Sequence, residues 1–297
     1  MLHVHQLSKT YPNGVRGLDG VSLEAPPGLF GLLGPNGAGK SSLMRTLATL
    51  QGPDSGSAML DGFDILNHPE SARERIGYLP QDFGLYPQLS AVELLDHLAV
   101  LKGIGPAAHR RERVHEMLAL TNLTEAAYRA LGSYSGGMRQ RFGIAQALIA
   151  RPRLLIVDEP TAGLDPGERN RFHNLLVGAS SETVVLLSTH IVADVADLCP
   201  NMAIMANGGI RCSGTPEALR QRLRGRVWRQ RLSQAEADGA RQHLNVISTR
   251  LVEGRSEIHV LAAEQPGEGF EPVEPDLEDV YFAELGPQVT GGGERAA

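Results

Sequence analysis

Cysteine is scarce in this chain of 297 residues: there are two, Cys199 and Cys212. Two thiols cannot build a disulfide framework, and no metal-ligand spacing surrounds them. They fit a reducing cytosol, where both are expected to be small buried hydrophobes. Long apolar runs are missing as well. No uninterrupted stretch approaches the ~20 residues that a bilayer span needs, so any membrane role is expected to come through a partner. The start of the chain has no charged region followed by an apolar core, so no secretory signal is expected. An excess of positive charge is also absent. The net charge is -6 at pH 7, which argues against nucleic acid as the main partner. No internal repeat is apparent. What remains is 42% hydrophobic and 21% charged, the balance of a soluble globular protein long enough for two cores.

The most specific feature lies at residues 34–42, which read Gly34, Pro35, Asn36, Gly37, Ala38, Gly39, Lys40, Ser41 and Ser42. They match the phosphate-binding pattern G-x-x-x-x-G-K-[ST] at every constrained position. An apolar run precedes them at 28–33, and helical spacing follows at Leu43, Leu47 and Leu50. Strand, glycine loop, helix is the context that the pattern requires. Glycines let backbone N–H groups converge on an anion, and the helix N-terminus adds its positive end. Lys40 is placed to reach terminal phosphates, and Ser41 to offer a hydroxyl to magnesium. The expected ligands are therefore the phosphates of a nucleotide and Mg2+.

Along the chain, residues 2–7 alternate as an edge strand does. His3 and His5 share one of its faces, where solvated side chains are the plain reading and a two-histidine metal site the alternative. Val21, Leu23 and Ala25 suggest a second strand, and 59–62 a strand end with its turn. Residues 76–79 read as a short strand. From 90 to 150 the texture is helical. Ser90 and Glu93 form a capping box, and Leu94, Leu95, Leu98 and Leu101 make an apolar stripe ending at Gly103. Further helices are expected at 107–120, with Val114, Met117 and Leu118 inward, and at 137–150. Runs at 154–157 and 183–188 read as buried strands. Strands alternating with helices imply a largely parallel sheet.

Near 220 the composition shifts. Arg220, Arg222, Arg224, Arg226, Arg229 and Arg231 crowd around Trp228. They read either as a solvated joint or as a contact for anionic lipid headgroups. A polar helix at 233–243 and strands at 245–252 and 256–262 are expected beyond. The domain expectation is a nucleotide-binding domain at 1–220 with a helical insertion at about 90–150, a small α+β domain at 224–286, and a disordered tail at 287–297.

A second chemical motif is the buried run 154–157 ending in Asp158 and Glu159. Asp158 suits a magnesium shell, and Glu159 would stand where a carboxylate takes a proton from attacking water. Alone, such a pair is a common surface strand end. A third motif, Tyr134, Ser135, Gly136, Gly137, Met138, Arg139, Gln140 and Arg141, precedes a helix. It resembles the signature sequence of the ABC-type ATPases, and the resemblance covers roughly residues 2–220. Within that family Gln81 matches the glutamine that senses magnesium and the γ-phosphate. Gly163, Leu164 and Asp165 match the loop after the carboxylates, His190 after Thr189 the switch histidine, and Tyr11 the aromatic that stacks on adenine. Tyr134 stands where the family usually has leucine and Met138 where it often has glutamine; neither removes Ser135 or the glycines.

The fold expected is α/β: a P-loop NTPase of the ABC cassette type, with a mostly parallel sheet, an antiparallel edge subdomain, a helical insertion and a small C-terminal α+β appendage. Ser135, Gly136 and Gly137 at a helix start form a second anion site, distinct from the first. One nucleotide held by both sites needs a second copy related by a two-fold axis. The resemblance implies the ATP-hydrolysing subunit of a transporter, peripheral on the inner face of the cell membrane and working with a separate membrane-spanning permease. The segment 76–87 and the ending 275–282 resemble the exporter branch for drugs, antibiotics and surface polysaccharides. Phe83, Leu85, Tyr86 and Pro87 read as core or as a socket for that permease. The alternative is a soluble ABC-type regulatory ATPase. One acting on DNA or ribosomes would carry a basic face, a long coiled-coil insertion, zinc cysteines or two cassettes.

Overall fold

The computed structural model describes residues 1–161 and 164–286. Gly163 and the tail at 287–297 lie outside them. The chain divides into two compact units, Met1–Ile210 and the residues from Arg211 onward.

The first unit opens with two antiparallel strands, β1 (Leu2–Thr10) and β2 (Arg16–Ala25), paired from Leu2↔Ala25. β1 alternates as its sequence does: Leu2 and Val4 are buried, while His3 and His5 are exposed. β3 (Gly28–Leu33) leads into α1 (Lys40–Leu47). Next come β4 (Ser55–Leu60), β5 (Phe63–Asp64), α2 (Pro69–Arg75) and β6 (Ile76–Leu79). Helices α3 (Ala91–Leu101), α4 (Ala107–Leu120) and α5 (Gly136–Leu148) make up the helical stretch. The unit closes with β7 (Leu154–Asp158), α6 (Pro166–Ala179), β8 (Val184–Thr189), α7 (Val192–Leu198) and β9 (Asn201–Ala206). It ends within β10 (Gly209–Gly214).

β3, β7 and β8 are apolar on both faces because both are covered, as parallel strands require. They pair in parallel, β9 with β3, β3 with β8, β8 with β7 and β7 with β6. The antiparallel sheet runs β2-β1-β4-β5. Both sheets share one core, in which Phe30 and Leu32 of β3 meet Leu43, Met44 and Leu47 of α1. α3 begins at the Ser90–Glu93 capping box, and Val114, Met117 and Leu118 of α4 are buried.

One local expectation needs correction. Helical spacing carried α1 on to Leu50, but the helix stops at Leu47 and Leu50 is 56% exposed. Thr49 takes φ 59°, and Arg73 fixes it there by donating to its Oγ1 at 3.0 Å and its carbonyl at 3.2 Å.

The second unit contains α8 (Pro216–Gln221), β11 (Val227–Leu232), α9 (Gln234–His243), β12 (Val246–Val252), β13 (Arg255–Leu261), β14 (Glu271–Pro272) and α10 (Leu277–Leu285). Its antiparallel sheet runs β12-β13-β11-β14. Ala237 of α9 packs on Ile258, Val260 and Phe270, with Trp228 beside them. α10 is fastened to β13 by His259 Nδ1 and Asp279 Oδ1, 2.7 Å apart.

Candidate active site

Parallel pairing brings three loops together. The glycine loop leaves β3, the two carboxylates end β7, and the histidine follows β8. Register places Leu33 opposite Thr189, and Asp158 opposite Ser188. All three loops therefore open at the carboxyl ends of adjacent strands, the usual ligand edge of such sheets.

The glycine loop is shaped by close approach. A Cβ on Gly34 would stand 2.4 Å from the Met205 carbonyl, and one on Gly39, at φ 103°, would stand 2.4 Å from the Gly17 carbonyl. Only glycine fits either place. The first N–H groups of α1 have no acceptors within the helix and point into this loop. Lys40 is 4% exposed. Its ammonium donates to the carbonyls of Gly34 at 2.7 Å and Pro35 at 3.1 Å, and it faces Glu159 Oε1 at 3.4 Å. The curl of amides, the helix start and the buried ammonium fit an anionic phosphate.

Asp158 is buried at the end of β7 and accepts from the Ser188 hydroxyl. Burial, and then the Asp158 charge, push the nearby Tyr78 hydroxyl above its usual range. Glu159 sits at φ 46°, a left-handed conformation for a non-glycine residue. Such backbone costs on the order of 1–3 kcal/mol and concentrates at functional sites. Its N–H donates to the Ser188 carbonyl at 3.0 Å, and its Oε2 lies 3.1 Å from His190 Nδ1. Lys40, Glu159 and His190 thus form one line of contacts, with Asp158 next to it in the chain. Asp158 and the exposed Ser41 hydroxyl offer oxygen donors of the hard kind that magnesium prefers.

Tyr11 is tied to the start of α1. Its hydroxyl lies 3.0 Å from Ser42 Oγ and donates to Gln51 Oε1 at 3.2 Å. Its ring passes over Gly17, where a Cβ would meet Tyr11 Cε2 at 2.7 Å.

Gln81 and the Ser135 group lie apart from that line. Gln81 is exposed, and among the described residues its side chain makes no hydrogen bond. Together with Phe83, Gly136 and Arg139 it lines a cavity of about 290 Å³. Ser135 caps α5 by accepting from the Met138 N–H at 3.3 Å. Gly136 is open to solvent. Gly137 is pressed against α6, where a Cβ would lie 2.4 Å from Glu168 Oε2. In the loop at 83–87 Phe83 and Leu85 are half-buried, with the Phe83 ring against Gly143, while Tyr86 is 65% exposed. A second cavity, of about 500 Å³, is lined by Leu50, Arg73, Tyr78, Leu98, Leu101 and Lys102 among others.

Sequence reasoning missed the support beneath the site. Ser188 carried a signal only as the polar end of an apolar strand, Gln51 carried none, and neither did the cluster of Thr161, Arg169 and His173 around the buried Asp194.

In the second unit five of the six arginines in the cluster face carboxylates. Arg220 pairs with Glu217, Arg222 with Glu284, Arg224 with Glu274, Arg229 with Glu271, and Arg231 with Glu253 and Glu257. No helix among the described residues is long and apolar enough to cross a membrane.

Comparison with known proteins agrees with this geometry. The family model described as ABC transporter matches residues 18–162. The daunorubicin/doxorubicin resistance ATP-binding protein DrrA of Streptomyces peucetius is 38% identical over 240 residues, covering 80% of this chain and 72% of that protein. The probable multidrug ABC transporter ATP-binding protein YbhF of Escherichia coli is 33% identical over 273 residues, covering 86% of this chain but only 46% of its own length. Among solved structures, the dimeric ATP-binding cassette MJ0796, in a post-hydrolysis state bound to ADP and Pi, superposes with a TM-score of 0.66. It is 25% identical, covering 72% of this chain and 98% of that one.

Proposed function

The chain belongs to the ABC transporter family as an ATP-binding, ATP-hydrolysing subunit, and from that premise we propose that it powers an exporter. The observation that carries the hydrolytic part of the proposal is the convergence of Lys40, Asp158, Glu159 and His190 at the ends of β3, β7 and β8.

In this reading the loop 34–42 holds the phosphates of ATP, and Lys40 neutralises the terminal ones. Tyr11 supplies a ring for the adenine. Glu159 takes the proton from attacking water, and His190, already in contact with Glu159, hydrogen-bonds the γ-phosphate. Ser41 and Asp158 would hold magnesium; Gln81, which the resemblance assigns to the same ion, lies apart from them here, in the cavity beside Gly136 and Arg139. When bound, the ion would spread the charge that builds on the phosphate oxygens.

Ser135, Gly136 and Gly137 then act on the nucleotide of a second copy. They line no part of their own Lys40 site, and the open amides at the start of α5 suit a phosphate approaching from outside. ATP thereby joins two copies in an isologous dimer; the dimeric MJ0796 cassette supports this arrangement. Export, and docking on the inner face of the cell membrane through a separate permease, are supported by relatives described as drug-resistance and multidrug transporter proteins. The apolar cavity flanked by the exposed Leu50 and Leu101 offers a seat for a helix of that permease. Isolation from detergent-solubilised membranes tests the partnership: a membrane protein of several spans is expected to co-purify, and a chain that always emerges alone refutes it.

A further inference from the structure

Beneath the contact between Glu159 and His190 lies a buried carboxylate. Asp194, on the first turn of α7, is 1% exposed. Its Oδ2 accepts from the Thr161 hydroxyl at 2.8 Å. Its Oδ1 accepts from Arg169 Nε at 2.6 Å and faces His173 Nε2 at 3.1 Å. Burial pushes the His173 imidazole below its usual range, against the pull of Asp194. Arg169 and His173 lie one turn apart on α6, so both reach the same oxygen.

The places of these residues in the chain give the cluster its meaning. Thr161 follows Glu159 by two positions, and Asp194 follows His190 by four. The loop bearing the carboxylate and the segment bearing the histidine are therefore joined twice. One join is the exposed contact of Glu159 with His190, a side chain that is itself 47% exposed. The other is the buried bond between Thr161 and Asp194. The exposed join must part when a nucleotide and water enter between its members. The buried one touches no surface and can persist. Glu159 also rests at φ 46°, a conformation that lasts only where its surroundings over-determine it. The Ser188 carbonyl accepts from the N–H of that strained residue, and two positions on the Thr161 hydroxyl ties the same segment to Asp194.

We propose that Asp194 and Thr161 are positioning residues for hydrolysis, fixing the reach between Glu159 and His190 through the Thr161–Asp194 hydrogen bond. This rests on the reading of Glu159 and His190 as the hydrolytic pair. Neither proposed residue touches the nucleotide, so their loss should act on turnover and spare binding.

Thr161→Val tests the idea, because valine keeps the shape and removes only the hydroxyl. Misplacing a reacting group by about 1 Å can cost on the order of 10²-fold, so kcat is expected to fall by roughly 10- to 100-fold. KM for ATP is expected to stay within about twofold, since the phosphate loop is untouched. Thr161→Ser, which restores the hydroxyl, is expected to recover most of kcat. Thr161→Ala serves as a second hydroxyl-free variant that introduces no new contact. A parental kcat in either hydroxyl-free variant overturns the proposal, as does a serine variant no better than valine. Glu159→Gln, assayed alongside, separates the two claims. If it is inactive while Thr161→Val is parental, only the positioning role falls. If it is fully active, the reading of the hydrolytic pair falls first.

Discussion

Replacing Glu159 with glutamine isolates one proton acceptor from everything else in the site. The side chains are nearly isosteric, so the backbone at φ 46° and the bond from its N–H to the Ser188 carbonyl should persist. Lys40 keeps its carbonyl acceptors at 2.7 and 3.1 Å and loses a charge partner at 3.4 Å. That partner is nearly buried, but a neutral oxygen stays in its place, so the effect on folding should be about 1–2 kcal/mol. The chemistry loses far more. Removing a general base costs about 10²–10⁴-fold in rate, or about 2.7–5.4 kcal/mol at 1.36 kcal/mol per decade. Phosphate release at saturating ATP and magnesium, with ATP affinity measured alongside, reads the difference. kcat should collapse while affinity changes little, and light scattering should show the dimer accumulating. A kcat within tenfold of the parent refutes the proton-acceptor role. A variant that stays monomeric at saturating nucleotide refutes the shared site.

Other outcomes follow from the same contacts. Burial pushes the Cys199 thiol up to about 12, so at pH 8 only about one molecule in 10⁴ is thiolate. Iodoacetamide should leave the Cys199 peptide unmodified in native protein and label it in urea; rapid native labelling would contradict the packing. Against the upward push of burial, the Arg250 hydrogen bond and the Asp279 N–H hold the Asp276 carboxyl below its usual range. Its contribution to stability is therefore present above about pH 3.8 and lost as the pH falls through the lower, folded value. Asp276→Ala removes the cap of α10 and should cost about 1 kcal/mol at pH 7, read through Trp228, the one tryptophan; an unchanged midpoint there refutes the cap. Finally, lipid attraction of roughly 1 kcal/mol per basic residue requires unpaired charge, and the arginines near Trp228 are largely matched by glutamates. Co-sedimentation with anionic vesicles should not exceed that with neutral ones; binding lost on substituting Arg224, Arg229 and Arg231 would reverse this conclusion.

How much was legible depended on whether a signal was local. The glycine loop, the capping box at Ser90 and the apolar runs of β3, β7 and β8 are short-range patterns, and each forms where its residues said it would. Their convergence follows from the preference of parallel strands to present ligands at their carboxyl ends. Leu50 was misread because periodicity cannot see Arg73 reaching back to Thr49 and ending the helix. The arginine cluster was open to two readings because a sequence counts charges without their partners. Glu271 and Glu274 lie 42 and 50 residues from the arginines they neutralise. Thr161 and Asp194 were invisible for the same reason, being 33 residues apart in the chain. A buried carboxylate that accepts from a hydroxyl and a guanidinium, with an imidazole beside it, leaves no periodic trace. The groups that touch substrate must match a fixed chemistry, so they recur as recognisable strings. The groups that hold them in place need only meet in space, which is why the support of this site shows in the fold and not in the string.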